Sequence, residues 1–206
     1  MEIEISLLHE SAFSYEDVVN LMHESFEERL HQGLHFTCSS MTVSQYKERT
    51  KKGIVLIARK ENKLVGTVTL SLCKDSNNII YGYHEYLAVH PSAKYLGIGT
   101  KLQKECVRLI VQAGGQYEIS DTAVGANSSV KWHLKNGFRK VALRSYPSTN
   151  YYSYVFRKQL IPSWKWNSNL YCSTTLFISS MVVKAVYKED GSYTIIGKLV
   201  MKIMKR

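Results

Sequence analysis

Val89-His90-Pro91-Ser92-Ala93-Lys94-Tyr95-Leu96-Gly97-Ile98-Gly99-Thr100-Lys101-Leu102 is the stretch on which the reading of this chain turns. It follows a strand-like run, Tyr81 to Val89, and opens a helix-like run, Gly97 to Gln112. The first N–H groups of a helix have no partner one turn back, and the helix dipole favours negative charge there. A glycine-containing turn into such an end suits an anion. Gly97 and Gly99 have no Cβ, so a phosphate can come close to the backbone. Spacing sets aside two common nucleotide loops. The pattern GxxxxGK followed by Ser or Thr does not occur, and the third residue after Gly99 is Leu102, which breaks GxGxxG.

Outward from this turn, the order of elements is readable. Ile3 to Leu8 predicts a strand. Ser14 caps a helix over Tyr15 to Glu28, with Asp17 as capping-box partner. Leu30 to Ser40 is a loop, and Thr42 or Ser44 caps a helix near Gln45 to Lys51. Ile54 to Arg59 and Leu64 to Leu72 flank the turn Glu61-Asn62-Lys63, a hairpin pattern. A strand over Ile79 to Val89 follows the turn Asp75 to Asn78. The helix Gly97 to Gln112 places Leu102, Cys106, Leu109 and Ile110 at helical spacing and ends at Ala113-Gly114-Gly115. Then come a strand over Gln116 to Thr122, a short helix capped by Asn127 or Ser128, and strands Phe138 to Tyr146 and Tyr151 to Leu160 around Pro147-Ser148-Thr149-Asn150.

Composition narrows the class. The chain has 206 residues, 45% of them hydrophobic, enough for one domain with a real core and an appendage. Its four cysteines, Cys38, Cys73, Cys106 and Cys172, show no metal-ligand spacing and read as free thiols in a reducing compartment; no metal site is expected. The acidic N-terminus does not look like a signal peptide, so a cytoplasmic location is expected. The net charge is +10, and from Ile161 onward seven basic residues face two acidic ones. Half of the excess therefore lies in the tail, where no nucleic-acid module is spelled out, and no nucleic-acid partner is expected.

The order β-α-α-β-β-β-α-β-α-β-β over residues 1–160, together with the glycine turn, resembles the GNAT acetyltransferase superfamily. In that family the loop reads Arg/Gln-x-x-Gly-x-Gly/Ala. Here it is Lys94-Tyr95-Leu96-Gly97-Ile98-Gly99, with lysine at the first position. A second family motif, an Asn starting the last helix and a Gly-Phe opening the next strand, matches Asn127 and Gly137-Phe138, with one residue fewer between them than usual. The resemblance implies an α/β chain of the α+β type: a mixed, mostly antiparallel sheet with helices on both faces, followed here by a helical extension over 161–206. It implies acetyl-CoA as cosubstrate and a small-molecule amine as acceptor.

By the same resemblance, the amides of Gly97, Ile98 and Gly99, with Thr100 and Lys94, surround the pyrophosphate. Leu87, Ala88 and Val89 offer backbone to the pantetheine, with the Leu87 or Val89 amide as oxyanion donor, and Asn127 hydrogen-bonds the pantetheine region. The general base is sought on the same strand. Regular alternation puts Tyr83, Glu85 and Leu87 on one face and His84, Tyr86 and Ala88 on the other. Glu85 lies where relatives often carry the base, and a carboxylate in an apolar strand is costly unless paired or functional. A bulge would exchange the faces and favour His84. The general acid departs from the family rule. Counting from Gly137-Phe138 puts His133 where relatives carry a tyrosine, and counting from Asn127 puts Leu134 there. His133 can donate a proton near neutrality and is the candidate acid. The acceptor site maps to Leu30–Ser40 and Arg144–Tyr154, the second rich in Tyr, Ser, Thr and Asn and suited to a polar ring such as an amino sugar.

The tail carries Trp164-Lys165-Trp166, a helix candidate over Leu170 to Tyr187, and a last amphipathic segment. There Ile196, Leu199, Val200 and Ile203 oppose Lys198, Lys202 and Lys205. Packing of this apolar face on the core or across a homodimer is the favoured reading; peripheral contact with an anionic membrane is the other. The alternatives to amine acetylation are a non-catalytic acyl-CoA-binding module and an acyltransferase acting on a membrane-linked saccharide.

Overall fold

A computed structural model describes residues 2–147 and 149–204. Ser148 of the expected turn and Lys205 of the expected amphipathic pattern lie outside the described residues. The strands are β1 (Glu4–Leu7), β2 (Ile54–Lys60), β3 (Lys63–Lys74), β4 (Ile80–Val89), β5 (Tyr117–Ala123), β6 (Arg139–Ser145) and β7 (Tyr152–Gln159). They form one mixed sheet in the order β1-β2-β3-β4-β5-β7-β6. The pairs β1–β2, β2–β3, β3–β4 and β6–β7 are antiparallel, and β4–β5 is parallel. The helices are α1 (Tyr15–His31), α2 (Val43–Thr50), α3 (Ile98–Gln112), α4 (Asn127–Lys135), α5 (Trp164–Asn167), α6 (Asn169–Val186) and α7 (Ile195–Met204).

The chain forms two compact units, one comprising residues up to Gln32 with Thr37–Ile119, the other Gly33–Phe36 with Ser120–Arg206. In the first unit, α1 starts with the expected capping box between Ser14 and Asp17, and α2 starts with one between Thr42 and Gln45. Glu61 and Asn62, both at positive φ (48° and 59°), make the two-residue turn that joins β2 to β3. One face of this part of the sheet carries a cluster from α1, α2 and the strands, including Val18, Met22, Tyr46, Ile57 and Ala88. The opposite face receives α3, whose buried Ile98, Leu102, Cys106 and Ile110 recur every fourth residue.

Two glycines let α3 approach. A Cβ on Gly66 would lie 2.7 Å from Ile98 Cγ2, and one on Gly82 would lie 2.2 Å from Ile110 Cδ1. Neither position requires a left-handed backbone, so what matters there is space.

The register of β4 carries a bulge. Thr67 pairs with Ala88 but Thr69 pairs with Glu85, so β4 spends one residue more than β3. The irregularity falls at Tyr86, a non-glycine residue at φ 54°. Its effect on the faces differs from both expectations. Glu85 stands opposite Thr69, whose hydroxyl meets the Tyr46 hydroxyl at 2.8 Å. The Tyr86 ring packs on Tyr46 at 5.5 Å, and Ala88 joins the same cluster. The extra residue thus moves Tyr86 and Ala88 to the Glu85 face. His84 lies before the bulge and keeps the α3 face.

In the second unit, Phe138 and Phe156 pack with Val130 of α4. α6 runs along β6, which ends the strand order. The Ser179 hydroxyl accepts from the Leu143 N–H and donates to the Leu143 carbonyl, at 3.0 and 3.1 Å. An edge strand's exposed backbone is thereby covered. The expected packing of α7 on the core is not found: Leu199 is 61% exposed.

Replacement of Gly82 by Ala forces Ile110 to move within a close-packed layer. We expect Gly82→Ala to lower the unfolding free energy by about 1–3 kcal/mol in urea titrations, the usual cost of overpacking. An unchanged midpoint would show that α3 is not seated through this glycine.

Candidate active site

The turn before α3 is built as a short 3-10 helix over Pro91–Ala93, then Lys94, Tyr95 and Leu96, then Gly97 at the helix N-cap. Tyr95 and Gly97 both take positive φ, 68° and 76°. Glycine at position 97 follows from the backbone rather than from crowding, since a Cβ there would meet nothing within 4 Å. Tyr95, Leu96 and Gly97 are exposed, Ile98 is buried as the first anchor of α3, and Gly99 and Thr100 are half-buried in the first turn. No acidic residue stands in that turn and no side chain caps it. This is an open, unobstructed helix start that an anionic group can approach, so the residues fit a pyrophosphate. Lys94 points to α1, its ammonium 2.7 Å from Glu28, and holds that carboxyl below the usual range through a hydrogen bond and its charge.

β4 pairs with β5 from Tyr81 to Tyr83 against Tyr117 to Ile119, and Leu87, Ala88 and Val89 lie beyond those pairs. Val89 stands opposite Gly66. Glu85 is half-buried beside Tyr86. Burial pushes the Tyr86 hydroxyl up, the Glu85 charge adds to this, and a hydrogen bond from Arg49 of α2 opposes it. Burial likewise raises Tyr46. Glu85 is thus half-buried close to a phenol that also takes a hydrogen bond from Arg49.

On the α3 face, His84 Nδ1 lies 2.7 Å from Glu118 Oε1, and the Gln103 amide donates to Glu118 Oε2 at 2.6 Å. All three are buried. One carboxylate thus ties β4, β5 and α3 together, and loss of either partner would leave a buried charge poorly compensated. Sequence reading gave no sign of Glu118 or Gln103, because each occupies a position that periodicity assigns to the core. Beside them, burial and the Glu118 charge hold the Cys106 thiol far above its usual range, so it is inert.

His133 belongs to the second unit and is 3% exposed. Its Nδ1 is 2.8 Å from the Ser129 carbonyl, so Nδ1 carries the proton and donates it. Nε2, 3.1 Å from Ser120 Oγ, then accepts from that hydroxyl. The ring stacks on Phe156 at 4.4 Å and meets Phe138 and Trp132 edge-on. In this tautomer neither nitrogen has a proton to spare for a departing group. Asn127 is exposed and is the first helical residue of α4; the N-cap is Ala126, one position before Asn127 and two before Ser128, the expected caps. The helix start there has no side-chain cap.

The two segments expected to line an acceptor meet in the second unit. The Asn150 carbonyl oxygen accepts from the His35 N–H at 3.0 Å, and its amide donates to the Gly33 carbonyl at 2.8 Å. Phe36 and Tyr151 pack with ring centroids 5.0 Å apart. The helix candidate over Leu170 to Tyr187 ends as expected before Glu189-Asp190-Gly191-Ser192, but the sequence did not place that turn beside the acceptor segments. Lys188, Glu189 and Asp190 share a shallow hollow with Asn150 and Tyr152, and the Tyr152 hydroxyl donates to the Tyr187 carbonyl. The one available signal was that Glu189 and Asp190 are the only acids after Ile161.

His133→Ala removes a stacked ring and two hydrogen bonds. We expect a loss of about 3 kcal/mol in unfolding free energy, in the range of large-to-small core changes. Equal stability of His133→Ala and the parent would contradict the packing described.

A family profile described as an acetyltransferase (GNAT) domain matches residues 51–140, from the end of α2 to the start of β6. No curated protein matches the sequence. Among solved structures, a protein of Pyrococcus horikoshii OT3 is 17% identical, covering 78% of this chain and 100% of its own, with a TM-score of 0.62. The NatC complex bound to Gag peptide and CoA contains a chain that is 15% identical, with coverage of 78% and 100% and a TM-score of 0.61. A GNAT family acetyltransferase from Elizabethkingia anophelis with acetyl-CoA bound is 14% identical, with coverage of 77% and 98% and a TM-score of 0.57. At these identities the structures speak for the fold, while the profile covers the glycine turn, β4 and α3. Residues 51–140 of this chain thus match a GNAT acetyltransferase domain, on a fold shared with these structures.

Proposed function

We propose that this chain is an N-acetyltransferase that moves the acetyl group of acetyl-CoA to a primary amine of a small, polar acceptor such as an amino sugar. The observation that carries the proposal is the open helix start at Gly97, at the end of a bulged strand that bears a half-buried carboxylate. Similar folds have been seen with CoA and with acetyl-CoA. The four free thiols fit a reducing, cytoplasmic setting.

In this reading the amides of Gly97, Ile98 and Gly99, with Thr100, hold the pyrophosphate, and Lys94 braces the loop against α1. Leu87, Ala88 and Val89 present backbone to the pantetheine arm, where the Leu87 or Val89 amide faces the developing oxyanion. Asn127 adds a polar side chain at the start of α4. Glu85 takes the proton from the acceptor ammonium, directly or through water, freeing the lone pair that forms the new N–C bond. The C–S bond then breaks, and the thiolate takes its proton from solvent. His133, with both nitrogens engaged, acts as a positioning residue that holds α4 on β5. The polar groups of Asn150 and Tyr152 and the acids of the α6–α7 turn suit a hydroxylated, amine-bearing acceptor.

Gly97→Glu puts a charge and a side chain where phosphates would lie, in space that nothing else occupies. We expect acetyl-CoA affinity by calorimetry to fall at least about tenfold, with an unaltered circular dichroism spectrum. Retained affinity in the folded variant would remove the loop from the site. Glu85→Gln keeps shape and removes the base. The expected result is a fall in kcat of about 10²-fold or more at neutral pH, shrinking as the pH rises and the amine deprotonates unaided, with acetyl-CoA affinity kept. A kcat unchanged at neutral pH would place the base elsewhere.

A further inference from the structure

α6 and α7 expose an apolar surface that the transfer chemistry does not use. On α6, Cys172 is buried and Ser179 clasps β6, while the opposite stripe carries Leu170, Phe177 (65% exposed), Met181 and Val182. α7 exposes Ile195 (89%), Leu199 (61%) and Ile203 (65%). The two helices are held in one arrangement. A Cβ on Gly197 would lie 2.1 Å from the Val186 carbonyl oxygen, so only glycine allows this approach. The Thr194 N–H donates to the Val186 carbonyl at 2.9 Å, and the Gly197 N–H donates to the Thr194 hydroxyl at 3.0 Å. Trp166 is committed to Arg157, whose guanidinium lies 4.0 Å from its ring centroid, but Trp164 is 79% exposed beside Lys165.

Charge selects the occupant. The described residues of α5, α6 and α7 carry Lys165, Lys184, Lys198 and Lys202 and no acid. The tail's only two acids stand in the α6–α7 turn, and Asp190 already accepts from the Ser192 N–H and hydroxyl. A two-fold dimer through this face would bring two basic tails together, with no carboxylate in the helices to offset their like charge. A surface of anionic headgroups over hydrocarbon satisfies both the lysines and the apolar stripe. Exposed tryptophan suits that boundary. No described helix is long and apolar enough to cross a membrane, so the pair would lie on one.

We infer that the exposed face of α6 and α7, with Trp164, docks this protein on the surface of a bilayer containing anionic phospholipid. The inference does not depend on the acetyl-transfer reading. It would bring the acceptor side of the second unit near lipid-borne substrates, such as a membrane-linked saccharide.

The test is co-sedimentation of the full chain with phosphatidylcholine vesicles and with phosphatidylcholine–phosphatidylserine vesicles, at low and high salt. The expected result is at least about tenfold stronger partitioning to the anionic vesicles, weakened by salt, as a few interfacial lysines provide. Leu199→Asp with Ile203→Asp, both at exposed positions, should abolish binding while leaving the circular dichroism spectrum and the acetyl-CoA affinity unchanged. Lys198→Glu with Lys202→Glu should erase the preference for anionic lipid. The inference is overturned by failure to bind anionic vesicles, or by binding that survives the paired aspartates. It is equally overturned by a parent dimer in sedimentation equilibrium that those aspartates break without any vesicle binding.

Discussion

The seating of α3 on Gly66 and Gly82 is the constraint on which the first unit depends. Two strand positions without side chains let Ile98 and Ile110 sink into the sheet face. A helix held this closely has its N-terminus fixed in place, and that N-terminus is the open turn at Gly97. The Glu118 carboxylate reinforces the seating from within, since it binds His84 of β4 and Gln103 of α3 at once. Buried and doubly hydrogen-bonded, it joins the helix to both strands beneath it. The backbone amides of this turn have no adjustable side chains, so their placement comes from this packing.

The bulge in β4 is the second device. A strand without it would alternate strictly and place Tyr86 and Ala88 with His84. With one extra residue at φ 54°, Glu85 and Tyr86 share a face, and His84 is left to structural work on the other. The resulting surroundings of Glu85 combine polarity with partial burial. A left-handed backbone at a tyrosine is costly, of order 1–3 kcal/mol. It is retained here by the Tyr86 ring against Tyr46 and by the hydrogen bond from Arg49. Strain of this kind is found where a side chain must be re-aimed.

In the second unit the extension is part of the packing as well as an appendage. Ser179 closes the edge of β6, and the Tyr187 carbonyl receives the Tyr152 hydroxyl, so the tail borders the region assigned to the acceptor. The same helices that cover a sheet edge on one side expose an apolar stripe on the other. Edge protection and an exposed apolar stripe are thus opposite faces of α6.

Much of this was legible in the order of residues. Capping boxes at Ser14 and Thr42, the turn at Glu61-Asn62 and the glycine turn before α3 are local events, decided by residues within four positions of one another. The element order they punctuate was enough to indicate the fold family. The faces of β4 were not legible, because a bulge depends on the partner strand's register, which β4 does not encode alone. His133 read as a candidate acid from its spacing, yet its nitrogens are engaged by Ser129, one helical turn away, and by Ser120 on β5. Glu118 and Gln103 were silent for the same reason: a buried ion's partners come from distant segments. The sequence by itself determined the elements, their order and the glycine turn before α3, since these follow from short-range backbone preferences. Only the tertiary structure decided which polar side chains reach the site and which are used up in the core, since that depends on contacts between segments far apart in the chain.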